Sequence, residues 1–405
     1  METTTLRTTV QARTPADVRA AVLAARERGL PVAVRATGHG TVVPADTGRL
    51  VSTERMAGVR IDPHRCTATV GPGTRWADVI AAAAPYGLAP LSGSSVTVGV
   101  TGYTFGGGLG LLSRRYGFAA DSLLRADLVL ADGRLVTASA DREPELFWAL
   151  RGGGGNFGLA TALEFRLYPV DRVYGGTAYF PLERANDVLA RYREWAAGAP
   201  EELTSAVVLL AQAPEAVAAT GVTGPMLALR GLYSGPADDA VGALQPLLRA
   251  AGTPLAGGWR PMRYTESGTL GGTRPQQFHR YADLPDAAVD VAVAAVSEPD
   301  AQVGAVEIRL WGGAMASPGP DAGPVGHRDV PFSVIVDGPP GTAGPLARYA
   351  TGGAFYNFLY DPAETARAYD QGDYQRLREI KRTYDPDNTF RLNLNIPPAT
   401  PGRSS

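Results

Sequence analysis

Residues 93–110 read GSSVTVGVTGYTFGGGLG, and seven of these eighteen residues are glycine: Gly93, Gly99, Gly102, Gly106, Gly107, Gly108 and Gly110. Glycine reaches dihedrals closed to other residues and lets a second backbone or a ligand approach closely. A pyrophosphate asks for that, with N–H groups turned toward the anion. A turn that merely packs tightly asks for it as well, so the run alone leaves both readings open. It is not a P-loop, because no Gly-Lys-Ser/Thr follows, and it is not a Rossmann fingerprint, because it lies well inside its unit. A second cluster, RGGGGNFGLAT at 151–161, separates helix-like ELFWAL from strand-like ATALEF. RATGHG at 35–40 and GPGTRW at 71–76 add two more glycine loops. Together they point to one long ligand touching several loops, and a dinucleotide has that length.

The rest of the composition sets bounds. A chain of 405 residues, 45% hydrophobic, holds two or three folding units of roughly 100–200 residues each. A net charge of −2 gives no electrostatic case for a nucleic acid or an anionic membrane as partner. Cys66 is the only cysteine, which excludes a disulfide framework and any Cys-rich metal centre. Lys381 is the only lysine. No basic segment precedes an apolar one at the start, and no apolar run approaches the ~18 residues that span a bilayer, so a cytoplasmic location is expected.

The β/α texture of the first 170 residues is well marked. TPADVRAAVLAARERG reads as a helix with Thr14 as N-cap, Pro15 in the first turn and Gly29 just past its end. PVAVRA, RLVST, VRID and RCTATV read as strands, a helix begins at Thr74, and DLVLADGRLVTASA reads as a hairpin turning at Asp132-Gly133. ATALEFRLYPV closes this unit. From 171 to 345, strand-like VYGGTAYF, SAVVLL, MLALRGLY, GAVEIRLW and FSVIV alternate with helix-like ERANDVLARYREWAAG and ADDAVGALQPLLRAAG. That is an α+β unit, a sheet covered by helices on one side. The tail is helical from Asp361, with Pro362 at its start, and its last residues are expected to be disordered.

RATGHG, GPGTRWADV, GYTFGGGLGLLSRRYGFAADSL, ADGR, LFWALRGGGGNFG and YDPDNTFRLNLNIPP follow one another along the chain. In this order they resemble the berberine-bridge-enzyme-like flavoproteins, with a PCMH-type FAD domain of the vanillyl-alcohol-oxidase superfamily. The resemblance covers 10–170 closely and 350–398 well, and is weaker between. It implies a two-subdomain FAD-binding domain over 1–170 and an inserted α+β substrate domain over 171–345, an antiparallel sheet covered by helices. A C-terminal segment, 346–405, would return to the FAD domain. It implies an FAD-linked oxidase or dehydrogenase that passes a hydride from a natural product to flavin N5, with O2 as acceptor. A non-redox cyclisation on the same fold and carbohydrate oxidation are the alternatives. The partner is a small molecule, and oligomeric state is not legible.

The resemblance also assigns residues. His39 matches the histidine bonded to the flavin 8α-methyl. Arg35, Thr37, Gly38 and Gly40 would wrap the pyrophosphate. Gly99, Gly102, Gly106, Gly107 and Gly108 would line the flavin, and Gly155, Asn156, Phe157 and Gly158 would touch it further along. Asn393 and Asn395 would sit by the ring. Some relatives carry a cysteine where this chain has Ser95, so a single link through His39 is expected, with no 6-S-cysteinyl bond. Relatives often carry Y-x-N-Y near the tail, its last tyrosine a frequent base. Here FYNFLYD keeps Asn357 but places Phe355 and Phe358 at the tyrosine positions. A base must come from elsewhere, and Glu307, Tyr233, Tyr264 and His279 are the candidates. Glu307 ranks first, because a carboxylate in an apolar strand is costly unless partnered or useful.

Overall fold

The computed structural model describes residues 9–40, 43–44, 47–298 and 302–400. The last residues, expected to be disordered, fall at 401–405 and lie outside them. Three strands open the chain: β1 (Thr9–Gln11), β2 (Val32–Arg35) and β3 (Arg49–Ser52) pair in parallel in the order β1-β3-β2. The helix Pro15–Arg26 covers them. Its capping box is complete: Asp17 N–H donates to the Thr14 hydroxyl, and Thr14 N–H to the Asp17 carboxylate. Val18, Ala21, Val22 and Ala25 are its buried stripe.

Five antiparallel strands follow: β4 (Val59–Asp62), β5 (Thr67–Val70), β6 (Leu123–Val129), β7 (Leu135–Ser139) and β8 (Leu159–Arg166), in the order β4-β5-β8-β6-β7. The β6–β7 hairpin turns where Asp132-Gly133 predicts, with Gly133 at φ +83°. The second helix starts later than expected, at Trp76. Thr74 is instead buried, its hydroxyl bonded to the backbone of Gly58, and Asp78 accepts from Arg75 N–H.

The third sheet has seven antiparallel strands: β9 (Arg172–Pro181), β10 (Leu203–Leu210), β11 (Met226–Tyr233), β12 (Ala256–Arg263), β13 (Gln277–Tyr281), β14 (Ala305–Leu310) and β15 (Phe332–Asp337). Their order is β12-β9-β11-β10-β14-β15-β13. The two strands the sequence reading misses, β12 and β13, are the two edges. β12 contains Gly257, Gly258 and Pro261, residues that read as a turn and that a sheet tolerates at its rim. The helix Asp286–Ser297 is also absent from that reading; its alanine-rich sequence has only a shallow apolar periodicity.

The two faces of this sheet differ. Val207, Leu209, Leu227, Leu229, Val306 and Ile308 pack under the helices Ala185–Ala196, Ala237–Ala251 and Asp286–Ser297. On the opposite face the strand register sets Thr177, Arg230, Ala206, Arg309 and Ser333 in one row, and Tyr179, Ala228, Val208, Glu307 and Ile335 in the next. That second face looks toward the glycine loops. Arg114 fixes it there: its guanidinium donates to the carbonyls of Leu203 (2.8 Å), Ala199 (2.9 Å) and Trp311. Arg328 adds a two-pronged pair to Asp121 at 2.8 and 2.9 Å.

In the C-terminal segment, Tyr356–Phe358 of FYNFLYD is a tight 3-10 turn. Beyond it, the helix Gln371–Tyr384 ends on a buried pair, Lys381 Nζ to Asp385 at 2.5 Å, with Lys381 also donating to the Asn156 carbonyl at 2.6 Å. Asp385 further accepts from Thr389 and Phe390 N–H at 2.7 and 2.9 Å. Asp385→Ala strands Lys381 as an unpaired charge in a fully buried site, and should lower stability by about 3–5 kcal/mol, read by denaturant unfolding.

Candidate active site

Three glycine-rich loops and the C-terminal tail are joined around the turn at 356–358. Asn357 is the hub: its Oδ1 accepts from Gly108 N–H at 2.8 Å, and its Nδ2 donates to the carbonyls of Tyr103 (3.2 Å) and Gly102 (3.4 Å). Gly106 must be glycine, because a Cβ there would lie 2.3 Å from Asn357 Nδ2. Next door, the Tyr356 hydroxyl donates to the Leu394 carbonyl at 3.3 Å and rests on Gly154, where a Cβ would be 2.0 Å away. Thr37 lies against Gly99, and Val32 N–H bonds the Thr389 carbonyl at 2.8 Å. The loops at 35–40, 93–108 and 153–158 and the tail at 389–396 are thereby joined.

Within this ring, some glycines pack and others do not. Gly107 and Gly108, at φ +113° and +79°, press on Phe355, Tyr103 and Ala119. Gly40, Gly102 and Gly155 have no described atom within 4 Å of a built Cβ. They border open space that a ligand can fill. The Oδ1 atoms of Asn393 and Asn395 are buried and without a hydrogen-bond partner among the described residues, as are the Ser52 and Thr53 hydroxyls at the end of β3. Such atoms are costly unless something bonds them. This donor and acceptor set fits a dinucleotide, and its residues would hold FAD. His39 and Arg35 stand exposed at the mouth of the 35–40 loop, where Gly38 turns at φ +78°. Ser95 is exposed as well, its hydroxyl 3.1 Å from that of Thr97.

Asn156, Phe157 and Gly158 have other work. Asn156 is fully buried and bonds the carbonyls of Gly153 and Leu394 and the N–H of Ile396 at 2.9–3.1 Å. Phe157 lies in the core, and Gly158 backs onto Val129 and Leu128. Of 155–158, Gly155 alone faces open space.

The candidate bases are turned to structural uses. Tyr264 is buried, donates to the Pro90 carbonyl at 3.0 Å and lies 2.9 Å from the Ser92 hydroxyl; burial pushes its phenol up to about 12. Tyr233 packs with Leu203, Ala240 and Leu244 at the end of β11, on the helix side of the sheet. His279 sits one residue out of step with Phe278 and Arg280, which face the site. Glu307 does face the site, but its carboxylate is engaged. Arg309 reaches Oε1 through Nη2 at 2.5 Å and Nε at 2.7 Å, and Arg230 Nη1 stands 3.4 Å from Oε2. Burial works to raise its pKa; Arg309, Arg230 and hydrogen bonds from Thr273 and Arg309 outweigh it and hold the carboxyl below its ordinary range. A carboxylate so held is a poor proton acceptor. Sequence reasoning missed Arg230 and Thr177 as site residues; the signal was a lone charge in the apolar alternation of MLALRGLY.

An aromatic wall closes the site beside Asn357. The Phe358 and Phe278 rings lie tilted to each other with centroids 5.1 Å apart, and Phe355 packs on Phe118 and Trp311. Arg280, fully buried over Trp311 and Phe355, donates to the carbonyls of Gly326 and His327. Between the sheet and the segment 264–270, a cleft of about 240 Å³ is lined by Thr177, Tyr179, Gly258, Arg260, Met262 and Leu270. Among the described residues there is no helix long and apolar enough to cross a membrane, and no His/Cys/Asp/Glu cluster suited to a metal ion.

Comparison with known families agrees with this geometry. A profile for an FAD binding domain matches residues 7–139, and one described as berberine and berberine like matches 354–397. The chain is an FAD-linked oxidoreductase with a berberine-like C-terminal segment. It is 29% identical to (R)-6-hydroxynicotine oxidase of Paenarthrobacter nicotinovorans over 94% of this chain and 89% of that one. The solved 6-hydroxy-D-nicotine oxidase of Arthrobacter nicotinovorans superposes with a TM-score of 0.82 at 26% identity, covering 97% of this chain and 93% of that one. Xylooligosaccharide oxidase from Myceliophthora thermophila, solved with xylobiose, gives 0.81 at 26%, covering 98% and 93%.

Two glycines separate packing from ligand contact. Gly102→Ala should leave the flavin-free protein as stable or slightly more so, by up to ~1 kcal/mol, since it sits in the short helix Val100–Phe105 with open space above. Its flavin content, read from absorbance per protein, should fall. Gly106→Ala should destabilise the flavin-free protein itself. The Glu307 carboxylate carries a separate signature. Its folded pKa is depressed, so its stabilisation is full above the ordinary carboxylate value and is lost as pH falls through the folded one. The free energy of unfolding, measured from neutral to acid pH, should therefore fall more steeply for wild type than for Glu307→Gln.

Proposed function

We propose that this FAD-linked oxidoreductase oxidises a small natural product held between the seven-stranded sheet and the 93–108 loop, with FAD tethered through His39 alone and O2 as electron acceptor. The observation that carries it is the ring of loops around Asn357, which leaves Gly40, Gly102 and Gly155 facing open space beside Asn393 and Asn395, whose Oδ1 atoms have no partner among the described residues. Bound FAD supplies a hydride acceptor. The chain's own part is to bind, orient and keep dry. Thr37 and Gly38 shape the mouth of the loop at His39, Asn357 holds the backbone of 102–108, and Phe358 and Phe278 exclude water on one side. An aromatic wall where relatives often place a tyrosine means that a substrate proton leaves without a phenolate at that position. Ser95 offers no thiolate for a second tether.

Acid precipitation tests the tether. Wild-type pellets should stay yellow, while His39→Ala should release its flavin to the supernatant. A colourless wild-type pellet with yellow supernatant overturns the covalent link. Anaerobic addition of a turned-over substrate should bleach the protein, and air should restore its colour.

A further inference from the structure

The sheet face over the glycine loops carries more positive charge than it neutralises. Arg230 and Arg309 lie in the same row, separated only by Ala206, and among the described residues Glu307 is the one carboxylate paired with them. Arg309 has the short contacts, 2.5 and 2.7 Å, both to Oε1. Arg230 is left with one long contact, 3.4 Å to Oε2, and its Nε is buried without a partner among the described residues. Its side chain is 14% exposed, so the cation is largely stripped of water yet not sealed. A guanidinium in that state is stabilised by an anion that fits its fork.

The neighbourhood suits such an anion. Thr177 is Arg230's partner across the strand pair and presents a hydroxyl that donates to the Leu270 carbonyl at 3.3 Å. The cleft beside it leads outward past Gly258 to Arg260, which is paired with Glu266 at 2.8 Å. Inward, Phe278 of the adjoining row touches Phe358, next to the Asn357 hub of the glycine loop. A ligand on Arg230 therefore lies on the face that looks at the loop.

We propose that the substrate bears an anionic group, a carboxylate or an equivalent oxyanion, and that Arg230 holds it with Thr177 alongside. This rests on the oxidoreductase reading of the same site and narrows its substrate class. A cationic amine would meet the uncompensated guanidinium, and a neutral sugar would leave it unpaired.

Matched acids and amides test it: benzoate against benzamide, phenylacetate against phenylacetamide and hexanoate against hexanamide, titrated into the holoenzyme by calorimetry. At least one acid should bind about tenfold or more tighter than its amide. Arg230→Gln should erase that preference without changing flavin content. If no acid outbinds its amide, or if Arg230→Gln keeps the preference, the proposal is overturned. Should Arg230→Gln fail to fold, Arg230→Lys decides, since it keeps the charge but loses the fork: a reduced preference supports the proposal and an unchanged one refutes it. Calorimetry reads binding with or without turnover, so loss of the anion preference and loss of redox activity are separate results.

Discussion

One primary amide organises the centre of this molecule. Asn357 accepts from Gly108 and donates to Tyr103 and Gly102, which holds a stretch of glycine backbone in a fixed shape. Glycine loops are entropically expensive to order, and a hydrogen-bonded clamp from a distant part of the chain offsets that cost. The clamp comes from the C-terminal segment, after the whole sheet domain has been inserted. The cradle is therefore complete only when the two ends of the chain have met. The flanking Phe355 and Tyr356 lock the same junction from both sides, one against Gly107 and the other against Gly154.

A second constraint is electrostatic. The sheet that roofs the site is apolar toward its helices and charged toward the cradle. Glu307 survives in its apolar strand because two guanidiniums reach it, and they in turn tolerate burial because it is there. The arrangement makes the face rigid as well as charged: the row is tied by strand pairing, and the sheet is pinned by Arg114 and Arg328.

Much of this was legible in the sequence. Thr14, Pro15 and Gly29 mark their helix through local chemistry alone, and Asp132-Gly133 specifies its hairpin. The glycine runs mark the cradle because few other features demand so many. What was not legible needed tertiary pairing. β12 looks like a turn until the register with β9 is known, and β13 is an edge with no alternation of its own. Asn156 reads as a ligand contact by position, yet its amide is consumed by the tail. Glu307 was rightly singled out as a carboxylate that must be partnered or useful, but periodicity along one strand could not reveal Arg230 on another.

The lone lysine has a practical consequence. Lys381 is the only side-chain amine in the chain, fully buried and held by Asp385 and the Asn156 carbonyl. Amine-directed coupling reagents thus find no lysine to attack on the folded surface. Their reaction at Lys381 becomes a reporter that the helix Gln371–Tyr384 has come away from the 153–158 loop, and so that the cradle has opened.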